Sequence, residues 1–208
     1  MAVSEYDAMA SYYDKVLEPI LWKMRRKIIK INNIQKGMKV LEVACGTGTQ
    51  AVRFKKAGAE YTGVDLSPAM LDIAEKKKLE CLHADGTELP LEDNIFDLST
   101  ITLALHEVDP VVSEQIVNEM LRVTKSEGSL VLVDYTLPAK KTLYSGLAYK
   151  SVYYIEKLVG GSHYSNYLKF MKSGGLISFL ESFDLEIQEM QSIFGGNIGI
   201  IMLKPNKS

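Results

Sequence analysis

The sequence has little cysteine, no long apolar run and no marked excess of charge of either sign. Its two cysteines, Cys45 and Cys81, are too few for a disulfide framework and too unpatterned for a zinc site, so we predict no metal centre. No apolar stretch reaches the roughly 18 residues that a membrane-spanning helix needs, and we expect no stable membrane insertion. With 24 basic and 26 acidic residues the net charge is −2, which leaves no basic field for nucleic acid.

The amino-terminal stretch "MAVSEYDAMASYYDK" lacks the basic end and the apolar run of a signal peptide, so a cytoplasmic location is expected. We find no internal repeat and no low-complexity tract. A hydrophobic content of 47% over 208 residues is typical of one globular domain with a small appendage. The composition leaves two oligomeric states open, a monomer and a homodimer.

Short apolar runs alternate with helical patterns and predict a parallel sheet covered on both faces. Five strands are predicted, at residues 38–43, 60–66, 80–85, 95–105 and 128–135. The segments 183–193 and 198–203, joined by a glycine turn, are predicted to form a hairpin that adds an antiparallel last strand. The fold class is therefore α/β, with a doubly wound (Rossmann-like), mostly parallel seven-stranded sheet and helices on both faces.

Two sites carry a clear signal for a helix start. Ser67-Pro68 and Asp109-Pro110 each combine an N-cap residue with a proline in the first helical position. Two basic runs, 25–27 and 76–78, are interpreted as the solvated faces of helices.

The chain is predicted to divide into three parts. Residues 1–33 form an amino-terminal helical lid, because apolar residues recur there at helical spacing: Ile20, Leu21, Met24, Ile28 and Ile31. Residues 34–208 form the ligand-binding core. Within the core, residues 139–182 form a helical insertion, rich in tyrosine and glycine, that would cap the substrate.

Acidic residues follow the first three predicted strands and mark a ligand-binding edge. Glu42, Asp65 and Asp85 lie at strand carboxyl ends, which is where doubly wound sheets bind ligands. Gly46 and Gly48 let the backbone approach a ligand with no side chain in the way. A carboxylate at Asp65 suits a ribose diol, and Asp85 could accept a hydrogen bond from an adenine amine. These features fit any adenosine ligand.

The residues before the glycines help to separate two adenosine ligands. "GTGTQA" matches the G-x-G-x-x-A fingerprint of dinucleotide-binding proteins, but that match alone is weak. Glu42 would repel the pyrophosphate of NAD and would attract the positive charges of S-adenosylmethionine. The sequence therefore favours S-adenosylmethionine, and an NAD-dependent oxidoreductase is the less favoured alternative.

Four segments, in this order and spacing, resemble the signature of class I S-adenosylmethionine-dependent methyltransferases. They are "VLEVACGTG", "GVDLSPAML", "ADGTELPLEDNIFDL" and "LALHEV". The chain is especially similar to the small-molecule group that includes the ubiquinone and menaquinone biosynthesis enzymes. The similarity covers about residues 38–135, and "AMASYYDK" resembles the lead-in of that group.

The resemblance implies S-adenosyl-L-methionine as cofactor and a small molecule as methyl acceptor. It assigns the methionine part to the glycine loop, the ribose to Asp65, the adenine to Leu66, Asp85 and Gly86, and a lid contact to Tyr13. Ala44 stands where the family often has its first loop glycine. The implied cofactor-binding set is Tyr13, Glu42, Ala44, Gly46, Gly48, Asp65, Leu66, Met70, Asp85, Gly86, Leu103 and Leu105.

Two histidines are candidates for a catalytic role. His106 follows the fourth strand at the ligand edge, and His163 lies in the predicted cap. Histidine, with an unperturbed pKa near about 6.5, could take a proton from an acceptor near neutral pH. The alternatives are a satisfied loop histidine at position 106 and a helix-cap or surface residue at 163. For the whole chain, the alternative to a methyltransferase is a catalytically silent protein that binds S-adenosylmethionine.

Overall fold

A computed structural model describes residues 21–205 and contains one seven-stranded sheet of order β3-β2-β1-β4-β5-β7-β6. Strands β1 to β5 are parallel, and β7 runs antiparallel to both of its neighbours, β5 and β6. The predicted fold class and the antiparallel last strand are confirmed. The strands are β1 (Lys39–Val43), β2 (Glu60–Asp65), β3 (Cys81–His83), β4 (Phe96–Thr102), β5 (Thr124–Tyr135), β6 (Leu185–Ile193) and β7 (Ile198–Pro205).

Helices cover the sheet and begin where the sequence predicts. The Ser67 hydroxyl accepts from the Met70 N–H, and the Asp109 carboxylate accepts from the Val111 N–H. Among the described residues, no helix is both long and apolar enough to cross a membrane. The helices are α1 (described over 21–31), α2 (Thr49–Lys56), α3 (Pro68–Lys76), α4 (Pro110–Val123), α5 (Leu143–Val159), α6 (Gly161–Lys172) and α7 (Gly175–Leu180).

Strand β4 ends earlier than predicted. Its last residue is Thr102, and Leu103 adopts the left-handed conformation with φ 53°, which breaks the strand geometry. A short 3-10 helix, Leu105–Glu107, follows immediately. Residues that the sequence assigns to the end of a strand therefore form a turn at the carboxyl edge of the sheet, and His106 lies inside this turn.

Helix α1 is anchored to the core by the apolar face that the sequence predicts. Leu21, Met24, Ile28 and Ile31 are all buried, whereas Ile20 lies outside the described residues. Burial of each such side chain contributes roughly 1.5–3 kcal/mol relative to exposure. The helix is thereby held beside the carboxyl ends of the strands.

Helices α5 to α7 attach to the same edge of the sheet from the other side. A capping box begins α5: the Thr142 hydroxyl accepts from the Ser145 N–H, and the Ser145 hydroxyl accepts from the Thr142 N–H. Asn166 on α6 donates its amide N–H to the carbonyl of Glu107 over 2.9 Å. Helix α6 therefore borders the turn that follows β4.

Candidate active site

A cavity of about 290 Å³ opens at the carboxyl ends of β1, β2 and β4. Its volume suits one small organic ligand. Gly48 and Leu105 do not line it, and Tyr13 lies outside the described residues. Nine of the predicted cofactor-binding residues line the cavity: Glu42, Ala44, Gly46, Asp65, Leu66, Met70, Asp85, Gly86 and Leu103.

The two loop glycines have different physical roles. Both have positive φ, 54° at Gly46 and 73° at Gly48. A Cβ added at Gly46 would meet no atom within 4 Å, so this glycine leaves open space over the backbone. A Cβ at Gly48 would lie 2.1 Å from the Leu79 Cδ1 atom. Gly46 therefore opens the loop toward the cavity, whereas Gly48 allows the loop to pack on the segment after α3.

The Lys77 side chain holds the same glycine loop through two hydrogen bonds. Its ammonium donates to the Thr47 carbonyl over 2.9 Å and to the Thr49 hydroxyl over 3.3 Å. The interpretation of 76–78 as a solvated face is wrong for Lys77, since this side chain turns toward the loop, and correct for Lys76, which is exposed.

The Asp65 carboxylate is positioned by two backbone donors. Its Oδ2 accepts from the Gly46 N–H over 2.7 Å, and its Oδ1 accepts from the Ser67 N–H over 2.8 Å. Burial raises the pKa of Asp65, and the backbone N–H groups of Ser67, Gly46 and Leu66 oppose the rise. A carboxylate offers about four lone-pair sites, so it can still accept from a ligand hydroxyl.

Glu42 is a buried acid on the cavity wall. It is only 2% exposed, and its Oε2 accepts from the Tyr61 hydroxyl over 2.8 Å. Burial raises its pKa to about 7, and the Tyr61 hydrogen bond and the charge of Arg25 oppose this rise. Arg25 on α1 lines the same cavity, so the interpretation of 25–27 as a solvated face is wrong for this residue. A ligand cation near Glu42 would favour its charged form.

Sequence reasoning did not identify Gly63, which makes the contact of Glu42 possible. A Cβ at this position would lie 2.7 Å from the Tyr61 hydroxyl oxygen and 2.8 Å from the Cys45 sulfur. Any side chain would therefore displace the hydroxyl that donates to Glu42. The available signal was a glycine inside a strand, which often marks a close approach.

The far end of the cavity combines one polar and several apolar groups. The Asp85 Oδ1 accepts from the N–H and the hydroxyl of Thr87, at 2.9 and 2.8 Å, which fixes the carboxylate. A Cβ at Gly86 would lie 3.0 Å from Val43 and 3.3 Å from Ile116, so these walls approach closely. A narrow apolar cleft with a carboxylate at its edge can hold a planar nucleobase.

The two candidate catalytic histidines do not line the cavity. They lie behind its wall, and both are buried, with 2% of His106 and 3% of His163 exposed. The His106 Nδ1 is 2.6 Å from the Asp134 Oδ1, and the His106 N–H donates to the Asp134 Oδ2 over 3.3 Å. Asp134, at the end of β5, therefore fixes the orientation of the His106 ring.

Glu156 on α5 joins the two histidines. Its Oε1 accepts from the Tyr135 hydroxyl over 2.6 Å and lies 3.7 Å from the His106 Nε2, and its Oε2 contacts the His163 Nε2. Burial opposes protonation of His106, but the Asp134 and Glu156 carboxylates raise its pKa to about 10. Burial raises the pKa of Glu156, but the hydrogen bonds to the two histidines outweigh burial and hold the pKa of this carboxyl below its ordinary value.

Glu107 connects this buried group to the cavity. One ligand atom each from His106, Glu107 and His163 lies within 4.8 Å of the others. Glu107 also lines the cavity, next to the end of β4. Glu107 is therefore the member of this group that a cavity ligand can contact directly.

Comparison with known proteins finds methyltransferases among the relatives of the chain. A family model described as a methyltransferase domain matches residues 41–132. The demethylmenaquinone methyltransferase of Bacillus pumilus is 32% identical over 164 residues, which cover 72% of this chain and 67% of the relative. That of Paenarthrobacter aurescens is 34% identical over 139 residues, 64% of this chain and 54% of the relative. The chain thus spans about half the length of several curated relatives that it matches.

Solved structures share the fold. The complex between the Haloferax volcanii Trm112 methyltransferase activator and the putative methyltransferase matches with a TM-score of 0.71 at 18% identity, covering 97% of this chain and 98% of that one. An S-adenosylmethionine-dependent methyltransferase from Aquifex aeolicus matches with a TM-score of 0.67 at 18% identity, covering 95% and 97%.

Proposed function

This chain belongs to the class I S-adenosylmethionine-dependent methyltransferases, and we propose that it transfers a methyl group from S-adenosylmethionine to a small-molecule acceptor. The observation that carries the proposal is the buried Glu42 carboxylate on the wall of a cavity whose glycine loop is open at Gly46. A buried acid beside bare backbone suits a ligand that brings its own positive charge.

The residues of the cavity fit the cofactor part by part. Glu42 would hold the cationic methionine end, because burial makes an unpaired carboxylate there costly. Asp65 would accept hydrogen bonds from the ribose hydroxyls with its remaining lone pairs. Leu66, Met70 and Gly86 would enclose the adenine, with Asp85 at its amine edge. An acid at position 42 disfavours a pyrophosphate, and hence NAD.

When bound, S-adenosylmethionine supplies a methyl group that its sulfonium already activates. The contribution of the chain is then chiefly alignment, which is worth about 7–11 kcal/mol in well-oriented reactions. A nucleophilic atom of the acceptor forms a bond to the methyl carbon, the sulfur–methyl bond breaks, and the sulfur keeps the electron pair. Ala44 and Leu103, at the ends of β1 and β4, would border the reacting atoms.

The acceptor is proposed to enter between α1 and the cap formed by residues 139–182, with residues 1–33 as the lid. A phenolic or quinol-type acceptor is the first candidate, since the matched relatives are demethylmenaquinone methyltransferases. Such an acceptor must lose a proton. We propose that Glu107, which lines the cavity, takes this proton, and that His106 and His163 position Glu107 from behind the cavity wall.

Two experiments test the proposal. Calorimetry should detect binding of S-adenosylmethionine and S-adenosylhomocysteine but not of NADH. A screen for consumption of the methyl donor over quinols, phenols, amines, thiols and small acids should yield a methylated product in one class. Binding without turnover on every class would support the catalytically silent alternative, and tight binding of NADH would refute the cofactor assignment. We also propose a cytoplasmic location, from the sequence alone.

A further inference from the structure

Four buried or half-buried side chains with metal-ligating atoms converge behind the cavity; we call them the histidine cluster. They are His106 and Glu107 in the turn after β4, Glu156 on α5 and His163 on α6. The Nε2 atoms of both histidines lie against the same Glu156 carboxylate, at 3.7 Å for His106 and in direct contact for His163. Three separate segments of the chain therefore bring ligating atoms close together.

The atoms in the histidine cluster are those that a divalent transition-metal ion prefers. Two imidazole nitrogens and one carboxylate form one of the donor sets known for catalytic zinc, and imidazole also suits other transition-metal ions. The two carboxylates of the cluster and the adjacent Asp134 face two imidazoles, which ligate a metal in their neutral form. A divalent cation would offset most of the negative charge of these carboxylates.

Asp134 provides the support that metal-bound histidines usually have. Its carboxylate contacts the His106 Nδ1 at 2.6 Å, which leaves the Nε2 turned toward Glu156. A carboxylate behind an imidazole fixes the tautomer and orients the free nitrogen toward a metal. The Tyr135 hydroxyl plays a similar part for Glu156, to which it donates over 2.6 Å.

An independent observation comes from Tyr167 on α6. Its side chain is fully buried, and its hydroxyl has no hydrogen-bond partner in the part of the chain that the structure describes. The ring packs edge-on against His106, with 6.1 Å between ring centroids, and against Tyr135, with 5.5 Å. A buried hydroxyl without a protein partner is a polar atom that a bound ion or its water ligand could satisfy.

We propose that the histidine cluster binds one divalent transition-metal ion of the zinc type, next to the acceptor end of the cavity. Glu107 belongs to the cluster and also lines the cavity, so the ion would lie within reach of a hydroxyl on the acceptor. The ion would lower the pKa of that hydroxyl. The O–H bond then breaks and its proton leaves to water, the oxygen bonds to the methyl carbon, and the sulfur–methyl bond breaks. This role in catalysis rests on the proposed function; the metal site itself does not.

Metal binding is measured first, with Co²⁺ alone added to the full chain after removal of metals by a chelator. We expect one Co²⁺ per chain, with the visible absorption of a nitrogen- and oxygen-ligated ion, and displacement by Zn²⁺. His163→Gln and Glu107→Gln should each weaken the affinity by about 100-fold or more. Asp134→Asn, which alters the support of His106 and leaves all four side chains of the cluster in place, should weaken it by about 10- to 100-fold.

The matched control is His83→Gln. His83 is the third of the three histidines, is exposed, and contacts the Leu66 carbonyl at 3.1 Å, away from the cluster. This variant should bind Co²⁺ as the unsubstituted chain does. Circular dichroism of each variant establishes that it is folded, and a variant that fails this check is replaced by His106→Asn. Absence of stoichiometric binding would overturn the site, and so would Co²⁺ affinity in His163→Gln and Glu107→Gln equal to that of the unsubstituted chain; the cluster would then be a closed ion network.

Failure of this inference can be separated from failure of the proposed function. Binding of S-adenosylmethionine is measured by calorimetry on metal-free protein, where Glu42 and Asp65 are unaffected. Donor binding and methyl transfer at an unchanged rate without metal would refute the metal role but support the methyltransferase. Stoichiometric Co²⁺ binding without any methyl transfer would support the site and count against the function.

Discussion

The backbone N–H of Gly46 donates to the Asp65 carboxylate over 2.7 Å, so the acid at the end of β2 holds the loop that follows β1. One side chain thus has two tasks. It fixes the open backbone of the glycine loop, and it presents its remaining lone pairs to a ligand. In the proposed function, a single carboxylate therefore couples the geometry of the loop to recognition of the ribose.

The first prediction concerns this coupling. Asp65→Asn keeps the shape but leaves one oxygen for the two N–H groups of Gly46 and Ser67, so one donor would face an amide NH₂. Hydrogen bonds to charged groups contribute roughly 1.5–3 kcal/mol, so we expect about a 10- to 100-fold loss of affinity for S-adenosylhomocysteine by calorimetry. Asp72→Asn, at an exposed position on α3, is the control. Unchanged affinity in Asp65→Asn would remove the ribose assignment.

The second prediction separates the two loop glycines. Gly48→Ala forces a methyl group against Leu79, where the added Cβ would lie 2.1 Å away, and should lower the melting temperature. Gly46→Ala has open space and adds only the cost of its positive φ, about 1 kcal/mol. The new methyl group would, however, occupy the loop surface that a ligand approaches. We expect Gly46→Ala to lower the affinity for S-adenosylhomocysteine more than Gly48→Ala does, and Gly48→Ala to lower the melting temperature more than Gly46→Ala does. The reverse ranking would contradict the assigned roles.

The third prediction concerns pH. Burial raises the pKa of Glu42 to about 7, so the empty cavity takes up a proton near neutral pH. A cationic ligand requires the carboxylate, and its affinity should therefore rise from about pH 6 to about pH 8. Glu42→Gln should bind more weakly and lose most of this rise. Calorimetry in buffers of different ionisation enthalpy should also detect proton release with Glu42 present.

Glu42 also makes stability depend on pH, and in the opposite direction to ligand affinity. The folded state holds a proton on Glu42 between its ordinary pKa of 4.5 and its folded value of about 7, and the unfolded state does not. The free energy of unfolding contributed by Glu42 therefore falls as the pH rises through that window, by up to about 3 kcal/mol. Glu42→Gln should gain stability over the parent chain as the pH increases. The same difference in free energy of unfolding between Glu42→Gln and the parent chain below and above this pH window would contradict the prediction.

The fourth prediction uses two adjacent lysines. Lys77→Met removes the two hydrogen bonds that the ammonium donates to Thr47 and Thr49. The expected cost is about 0.5–1.5 kcal/mol in donor affinity, roughly a 3- to 10-fold change, because the loop is less ordered before binding. Lys76→Met removes the same charge one residue away, where the side chain is exposed, and should change the affinity little. Equal losses in the two variants would indicate a general charge effect.

Most of the fold was predictable because its signals are local and redundant. Cap-and-proline pairs begin α3 and α4, and the strands are apolar runs of the right length. The ligand edge followed from one rule, that parallel strands present their carboxyl ends together, which brings Glu42, Asp65 and Asp85 to the cavity.

The rest depended on contacts between distant segments. Arg25 and Lys77 lie in basic runs typical of solvated helices, and nothing local indicates that each turns toward the site. Glu156 is the clearest case: the sequence places this acid among apolar and basic residues of a helix, yet it is 4% exposed and contacts both buried histidines. Its partners come from positions 50 residues before it and seven after it, so no spacing pattern links them.

Two residues in the wall of the cavity, Ala44 and Leu103, have the left-handed backbone conformation that glycine adopts freely, with φ 54° and 53°. They stand at the ends of the neighbouring strands β1 and β4, and each conformation costs roughly 1–2 kcal/mol for a residue with a side chain. Strand pairing in the sheet maintains both conformations, so the domain stores a small amount of backbone strain at the rim of the cavity. On warming, amide hydrogens of this rim should exchange before those of the central strands, and the ability to bind ligand should fade below the temperature at which the domain unfolds.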